Sequence, residues 1–462
     1  MPKITRYTGN TTDLTAVNIA ELGARMVGEL LLPDDSGYDQ ARTVWNAAID
    51  KRPAIIARCA TETDVVHAVR FARQHEILIS VRCGGHNIAG KAVVENGLMI
   101  DMTPICKVHV DQPNKIATVG GGAALGALDH ATQQYGLATT AGVVTHTGVG
   151  GLTLGGGVGR LARKFGLACD NLISVDLVTA EGEQITVSPD NHSDLFWALR
   201  GGGGNFGIAT SFKFRLHHIG NDVLFAAATH RLNSATEALQ HFMEFATSAP
   251  REVTSQAAFA KMDDGTAVVN LGAVHIAPLD NAKATLEPLV KFGAPIATRM
   301  EIRPYVDVQA DADERFPYGQ RYYWKTHLIN KLLQPGIETL INCYDKVPNN
   351  RSMIILQQFG GAVRDVKSTD TAFANRDAEF DFIPAAVWHK GEDSASLVDW
   401  VRDTWQAMKP HSCGVYMNGL GDGDDERLSD AVGANEARLR KVKARYDPTN
   451  FFRLNTNIVP AE

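Results

Sequence analysis

The sequence predicts a mixed α+β fold with two lobes, and three observations support that prediction. The chain has 462 residues, which is too many for one ordinary hydrophobic core. A β-α-β pattern begins at Pro53, and many of the 42 glycines fall between residues 84 and 207. After about residue 218 glycine becomes sparse, and helical stretches alternate with strands up to about residue 410. We therefore expect three segments, which are 1–218, 219–410 and 411–462.

The composition is that of an ordinary globular protein, with 44% hydrophobic and 21% charged residues. A formal net charge of -7 gives no electrostatic reason to expect nucleic acid or an anionic membrane as a partner. The six cysteines are scattered without a C-x-x-C pair, so we expect neither a disulfide framework nor a zinc site. No apolar run approaches the roughly 18 residues that span a membrane. Residues 1–7 also lack the apolar run of a secretory signal, so we expect a soluble cytoplasmic protein.

A β-α-β unit is expected to lead into the first glycine loop. Thr61 and Asp64 resemble a capping box, and Val65, Val69 and Ala72 follow at helical spacing, which predicts a helix with one buried face. The expected elements up to this point are a helix-containing lead-in at 1–45 with a turn at 33–37, a strand at 54–57, a helix at 63–75 and a strand at 78–81.

Strands, helices and further glycine-rich turns are expected to alternate up to residue 207. Gly136 gives a stop signal for the helix that precedes it, and Glu181-Gly182 is typical of a hairpin turn. The expected elements are strands at 97–101, 107–110 and 116–119, a helix at 123–135, a glycine loop at 148–159, a hairpin of 172–178 with 184–187, a helix at 191–199 and a glycine turn at 201–207.

Three glycine-rich loops within about 120 residues are the main functional signal. Glycine runs let backbone N–H groups converge on an anion and let a flat ring approach the main chain. Together the loops indicate a large ligand with a diphosphate and an extended ring, whereas tight turns alone would explain any single loop equally well.

Several common nucleotide and hydrolase motifs are absent from the sequence. Arg160 stands where a dinucleotide motif starting at Gly155 would need its third glycine. The sequence contains no P-loop G-x-x-x-x-G-K-[ST], no zinc-binding H-E-x-x-H and no G-x-S-x-G elbow. A kinase, a zinc hydrolase and an α/β-hydrolase of those types are therefore disfavoured, and we expect no metal site.

Four motifs taken together resemble the PCMH-type FAD domain of the vanillyl-alcohol-oxidase superfamily, and the last of them resembles its berberine-bridge-enzyme-like branch. The resemblance extends from about residue 30 to the C-terminus. The motifs are Arg82-x-Gly84-Gly85-His86-Asn87, Gly148-Val149-Gly150-Gly151 with Gly155-Gly156-Gly157-Val158-Gly159, Gly204-Asn205-Phe206-Gly207-Ile208, and Tyr446-Asp447-Pro448-x-Asn450-x-Phe452-Arg453-x-Asn455-x-Asn457-Ile458.

The resemblance implies an FAD-binding domain over 1–218 with its core at about 48–218, and a substrate domain over 219–410 with an antiparallel sheet and helices. It implies that 411–462 returns to the FAD domain. The implied activity is that of an oxidase, with hydride passing from a small alcohol, amine or heterocycle to flavin N5 and then to O2. A dehydrogenase or oxidative cyclase of secondary metabolism with poor oxygen reactivity stays open, because Thr147 matches neither residue that tunes oxygen access in plant relatives.

The resemblance also assigns the cofactor residues. It implies that residues 82–87 wrap the FAD diphosphate and that His86 bonds covalently to the flavin 8-methyl carbon. Val144 stands where doubly attached relatives carry a cysteine, and Cys169 does not match that place, so a single link is implied. The implied FAD-binding residues are Arg82, Gly84, Gly85, His86, Asn87, Gly148, Val149, Gly150, Gly151, Leu154, Gly155, Gly156, Gly157, Gly207, Ile208, Asn455 and Asn457.

Tyr416 and Asn418 match the family's Tyr-x-Asn segment, which implies that Tyr416 orients the substrate or takes its proton. The alternative is a core tyrosine with a satisfied hydroxyl. Gln357 matches the place where sugar-oxidising relatives carry an aspartate, and this departure counts against a sugar-oxidase mechanism. Asp381 lies where some relatives place polar catalytic residues, although a structural role is favoured for it over a catalytic one. Neither the substrate nor the oligomeric state can be predicted from the sequence.

Overall fold

The fold was obtained as a computed structural model, and it describes residues 3–462. It is a mixed α+β structure, as predicted, and most strands belong to a four-stranded, a five-stranded and a nine-stranded sheet. The strands are Lys3–Thr5, Thr11–Asp13, Glu29–Leu31, Ile55–Arg58, Ile79–Arg82, Leu98–Asp101, Val108–Asp111, Ile116–Gly120, Leu137–Ala138, Leu172–Val178, Gln184–Val187, Ile208–Arg215, His217–His218, Asp222–Arg231, Val253–Lys261, Ala267–His275, Ala297–Pro304, Arg321–Trp324, His327–Ile329, Met353–Gln358, Phe380–Trp388 and Ser412–Gly414.

The helices pack on and between these sheets. The α-helices are Ala16–Arg25, Tyr38–Arg42, Glu62–Gln74, Leu125–Gln133, Val149–Leu154, Ala162–Phe165, Ser193–Leu199, Ala235–Ser248, Ala282–Lys291, Tyr305–Ala310, Gln334–Tyr344, Ala395–Met408, Leu428–Val432 and Glu436–Tyr446. Short 3-10 helices are Ala168–Asn171, Leu232–Ser234, Gly361–Val363, Lys409–His411, Met417–Gly419, Asp425–Arg427 and Gly433–Asn435. No helix in the described range 3–462 is long and apolar enough to cross a membrane.

The predicted β-α-β unit forms part of the four-stranded sheet. Strands Ile55–Arg58 and Ile79–Arg82 both pair in parallel with Leu98–Asp101, which lies between them. The connecting helix starts after Thr61, and the predicted capping box with Asp64 is confirmed. This sheet delivers the chain to the first glycine loop at the carboxyl end of its strand, the edge at which α/β sheets bind ligands.

The five-stranded sheet carries the second and third glycine-rich stretches at its margin. Its central strand, Ile208–Arg215, begins directly after Gly207 and pairs antiparallel with Ile116–Gly120 and Leu172–Val178. The hairpin of Leu172–Val178 with Gln184–Val187 has the predicted bounds. One part of the prediction was wrong, because Val149–Leu154, inside the expected loop 148–159, is a helix. Burial of Val149 and Leu154 in the core offsets the poor helix propensity of its glycines.

The nine-stranded sheet is antiparallel, as the resemblance implied, and helices cover one of its faces. Its strands lie between Asp222 and Gly414, whereas those of the four- and five-stranded sheets lie between Glu29 and Arg215. The domain boundaries at 218 and 410 stay predictions. The uncovered face carries one continuous row of residues in register, which is Asp381, Gln357, Gln256, Gly272, Ala227 and Arg299.

A buried ion pair fixes the C-terminal segment. Lys443 and Asp447 have side chains that are 0% exposed, and their charged atoms are 2.7 Å apart. The Lys443 ammonium also donates to the backbone oxygens of Asn205 and Phe452, at 2.7 and 3.0 Å. The Asp447 carboxylate accepts from the N–H groups of Phe451 and Phe452. The pair therefore ties the final residues to the glycine turn that precedes Ile208.

We expect Asp447→Ala to destabilise the protein by about 3–5 kcal/mol, because the buried Lys443 ammonium loses its counter-charge. Urea unfolding followed by circular dichroism measures the change. Arg440→Ala is the matched control, since it removes an exposed i,i+4 pair with Glu436 from the same helix and should cost less than about 0.5 kcal/mol. Equal losses in the two variants would contradict the assigned role of the buried pair.

Candidate active site

A cavity of about 1030 Å³ lies between the glycine loops and the uncovered face of the nine-stranded sheet. This volume is at the upper end of the roughly 300–1,000 Å³ that ligand pockets occupy, which suits a ligand of dinucleotide size. The predicted site residues that line it are Gly84, Gly85, His86, Asn87, Gly148, Gly150, Gly151, Leu154, Gly207, Ile208, Asn455, Tyr416, Asn418, Gln357 and Asp381.

The remaining predicted residues do not line this cavity and lie behind its wall. They are Arg82, Val149, Gly155, Gly156, Gly157 and Asn457. Arg82 forms an ion pair with Asp101 at 3.4 Å, and Val149 is in the hydrophobic core. An added Cβ at Gly155 would lie 2.0 Å from the side-chain oxygen of Asn418. Arg82, Val149 and Gly155 therefore make contacts within the protein, and direct contact with a cofactor stays a prediction for all six residues.

The first glycine loop presents free backbone donors to the cavity. Within residues 3–462, the N–H groups of Gly85, His86 and Asn87 donate to no acceptor of the protein. Gly85 has a φ of +66°, which only glycine adopts readily. Successive N–H groups in such a left-handed bend form an anion-binding concavity. The donor set fits the diphosphate of a dinucleotide cofactor.

Two of the glycine loops touch backbone to backbone. A Cβ at Gly84 would lie 2.3 Å from the Gly148 nitrogen, and a Cβ at Gly148 would lie 2.4 Å from the Cys83 sulfur. No side chain fits between the loops at that spacing. At Gly151, in contrast, a Cβ would have nothing within 4 Å, which leaves its backbone open for a flat group to approach.

The His86 imidazole is held in one orientation by residues that the sequence did not reveal. Its Nε2 lies 2.7 Å from Nδ1 of His146, and its Nδ1 lies 3.4 Å from the Thr147 hydroxyl. The Trp45 ring stacks on it at a centroid distance of 4.9 Å. Burial first, and the neighbouring His146 second, lower the pKa of His86 to about 3. The imidazole is therefore neutral at physiological pH and keeps a lone pair.

Tyr416 and Asn418 are hydrogen-bonded to each other and lie next to helix Val149–Leu154. The Tyr416 hydroxyl accepts from the Gly157 N–H at 2.9 Å and from the Asn418 side-chain amide at 2.8 Å. The same amide nitrogen donates to the Leu152 carbonyl at 2.9 Å. Burial raises the pKa of Tyr416 well above its usual range. Its phenol is therefore neutral and keeps its proton.

Asp381 is a buried carboxyl group with an unused acceptor. The residue is 2% exposed, and its Oδ1 has no hydrogen-bond partner within the described residues 3–462. Burial raises the pKa of Asp381 well above its ordinary value. Gln357 is its register partner on the adjacent strand, and both side chains line the cavity. The sequence signalled these two residues only through the resemblance.

Two neighbouring residues at the end of strand Arg321–Trp324 differ in their relation to the cavity. Trp324 lines the cavity, whereas Lys325 is held by Asp424 at 2.5 Å and does not line it. His146 and Trp45 were missed because their contacts with His86 join residues far apart in the chain. The proximity of His146 to Val144 in sequence was the only available signal.

Comparison with known proteins decides the family. The FAD binding domain family model matches residues 53–188, and the berberine and berberine like model matches residues 426–459. An FAD-linked oxidoreductase of Dictyostelium discoideum is 33% identical over 422 residues, which cover 90% of this chain and 91% of that protein. The chain belongs to the berberine-bridge-enzyme-like FAD-linked oxidoreductases. It is therefore an FAD-binding enzyme.

Other relatives of this FAD-linked oxidoreductase have named activities or solved structures. The (R)-6-hydroxynicotine oxidase of Paenarthrobacter nicotinovorans is 31% identical over 450 residues, with 94% of this chain and 97% of the relative covered. The crystal structure of 6-hydroxy-D-nicotine oxidase from Arthrobacter nicotinovorans has a TM-score of 0.87 at 29% identity and covers 94% of this chain and 98% of its own. A chitooligosaccharide oxidase structure has a TM-score of 0.86 at 24% identity, covering 96% of this chain and 100% of its own, and shows the shared fold.

The lowered pKa of His86 predicts a pH effect on the flavin-free protein. Because the folded pKa of about 3 lies below the roughly 6.5 of an unfolded histidine, the unfolded chain binds more protons between these values. The contribution of His86 to stability is therefore present above about pH 6.5 and is lost as the pH falls toward 3. Unfolding free energies of wild type and His86→Gln, measured from pH 7 to 4, should converge or cross as the pH falls. A constant difference would contradict the neutral imidazole.

Proposed function

We propose that the protein is an FAD-dependent oxidase of a small substrate, with FAD fixed through a single covalent bond to His86. The observation that carries the proposal is that His86 and three free N–H groups face Tyr416, Asn418 and Asp381 within one cavity. Bound FAD would supply the acceptor for the hydride, which carries both electrons of the oxidation. The cytoplasmic location stays a prediction, supported by the free state of all six cysteines.

The state of His86 supports the covalent link. A neutral imidazole has the lone pair that a bond to the flavin 8-methyl carbon requires. That bond would form as the methyl group loses one proton and His86 loses its N–H proton, with the two electrons left on the flavin, and the His146 nitrogen at 2.7 Å is within reach of the proton from His86. A second link finds no support from Val144, which lines the cavity without a thiol. Cys83 also lines the cavity, but burial raises the pKa of its thiol to about 11, so it is not a ready nucleophile.

The substrate side supports a division of roles between Tyr416 and Asp381. The neutral Tyr416 phenol already accepts two hydrogen bonds and suits the donation of one to a substrate heteroatom. Asp381 has an unused acceptor and a raised pKa, which suit a general base for a substrate proton. Gln357 carries no charge and serves for binding. An amine or a hydroxylated heterocycle fits this arrangement, and the relative named 6-hydroxynicotine oxidase supports that class.

The covalent link is tested by acid denaturation of the purified protein. The pelleted wild-type protein should be yellow, whereas His86→Ala should give a colourless pellet and a yellow supernatant or no flavin at all. His217→Ala is the matched control, because His217 is another histidine whose pKa burial lowers, to about 4, and it does not line the cavity. A yellow wild-type supernatant would leave FAD binding intact but exclude the covalent bond.

Oxidase activity is tested by anaerobic mixing with a panel of small amines, alcohols and hydroxylated heterocycles. A substrate should bleach the flavin absorbance, and admission of air should restore it with release of peroxide. Slow return of colour in air would favour the dehydrogenase or cyclase alternative.

With a substrate in hand, we expect Asp381→Asn to lower the rate of flavin bleaching about 10²–10⁴-fold, the usual contribution of a general base. Stopped-flow absorbance measures this rate. Asp129→Asn is the control, since Asp129 is also a buried carboxyl, whose pKa burial raises to about 7, and it lies outside the cavity wall. Equal rates in wild type and Asp381→Asn would remove Asp381 from the reaction.

A further inference from the structure

Arg160 places a positively charged side chain in the cavity, next to the uncovered face of the nine-stranded sheet. It follows the second glycine loop and lines both the main cavity and a small adjoining one of about 20 Å³. Within residues 3–462 its guanidinium makes no hydrogen bond and no ion pair, and its buried Nε has no partner. An arginine cannot shed its proton to relieve this situation, so the positive charge needs a counter-charge.

The neighbouring acid does not supply that counter-charge. Asp311 is the carboxylate that acts most strongly on Arg160, but both of its oxygens are held by Arg303 at 2.7 Å. Tyr305 is nearby, and burial raises the pKa of its phenol well above the usual value, so it stays neutral. Desolvation accordingly lowers the pKa of Arg160 despite the attraction of Asp311.

Two amides complete the site. Gln256 and Gln357 line the same two cavities as Arg160 and are register partners on adjacent strands. Neither side chain makes a hydrogen bond with any residue of the described chain. Gln357 is also the register partner of Asp381. Because neighbouring strands lie about 4.8 Å apart, Gln357 and Gln256 are roughly 5 and 10 Å from Asp381.

The other arginines of the cavity wall differ from Arg160. Arg299 and Arg315 are both exposed. Arg299 is also paired with Glu301 at 2.5 Å. An exposed guanidinium is satisfied by water, whereas the partly enclosed one of Arg160 gains most from a ligand. A site with one unpaired guanidinium and two free amide groups recognises a carboxylate.

We propose that Arg160, with Gln256 and Gln357, binds a carboxylate group of the substrate. The inference rests on the proposed function, because it takes the ligand to be the compound oxidised in the flavin cavity. The carboxylate lies about one to two strand spacings from Asp381, which faces the part of the substrate that loses its proton. The substrate class is therefore a small carboxylic acid whose oxidisable C–H is several ångströms from its carboxylate, such as an ω-amino acid or a carboxylated heterocycle.

The test is calorimetric titration of the purified holoenzyme with benzoate and with its neutral isostere benzamide. Wild type should bind benzoate at least about tenfold more tightly than benzamide, and Arg160→Gln should weaken benzoate binding about 10–100-fold while leaving benzamide unchanged. The benzoate affinity of Arg160→Lys should lie between those of wild type and Arg160→Gln, because lysine keeps the positive charge but lacks the two-pronged geometry of the guanidinium. Arg299→Gln is the control and should bind benzoate within about twofold of wild type.

Flavin content and thermal unfolding are recorded for every variant. Equal affinity for benzoate and benzamide in wild type, or unchanged benzoate affinity in Arg160→Gln, would overturn the carboxylate site. Loss of FAD from Arg160→Gln would also overturn it, since Arg160 would then serve the cofactor. Failure of the proposed function gives a different result, in which no compound of the substrate panel bleaches the flavin, and calorimetry still reports the benzoate preference in that case.

Discussion

The close approach of Gly84 and Gly148 is the constraint on which the site depends. The loops that contain them come from different parts of the chain, and a single methyl group at either glycine would collide with the other loop's backbone or with Cys83. Their contact places the free N–H groups of residues 85–87 on the same wall of the cavity as helix Val149–Leu154. It also brings His146 and Thr147, just before Gly148, against the His86 ring.

The two sides of the cavity differ in the polar groups that line them. On the side of the glycine loops, backbone N–H groups and a neutral histidine provide polarity without fixed charge. On the sheet side, Asp381 Oδ1 and Arg160 Nε have no hydrogen-bond partner among residues 3–462. Each unsatisfied group costs stability in the free protein. Such a cost is commonly found at sites where a ligand supplies the missing partner.

The sequence predicted those elements whose signals are local. The capping box of Thr61 and Asp64 and the hairpin turn at Gly182 are set by neighbouring residues, and both are as predicted. The helix Val149–Leu154 escaped prediction because tertiary burial overrides the propensity of its glycines. His146 and Trp45 escaped because their roles arise from contacts over long sequence separations. Arg160 was noticed only as an interruption of a glycine motif, since its lack of a partner is a property of the folded cavity.

The fixing of the C-terminal segment by Lys443 and Asp447 has a consequence for the order of events in the cell. Residues 454–456 form part of the cavity wall, and the Asn455 side chain donates to the Gly204 carbonyl at 2.9 Å. These residues are translated more than 350 positions after His86. A nascent chain on the ribosome therefore has the glycine loops long before it has a closed cavity. Closure of the cavity around a ligand therefore waits for residues 454–456 and is not achieved by the glycine loops alone.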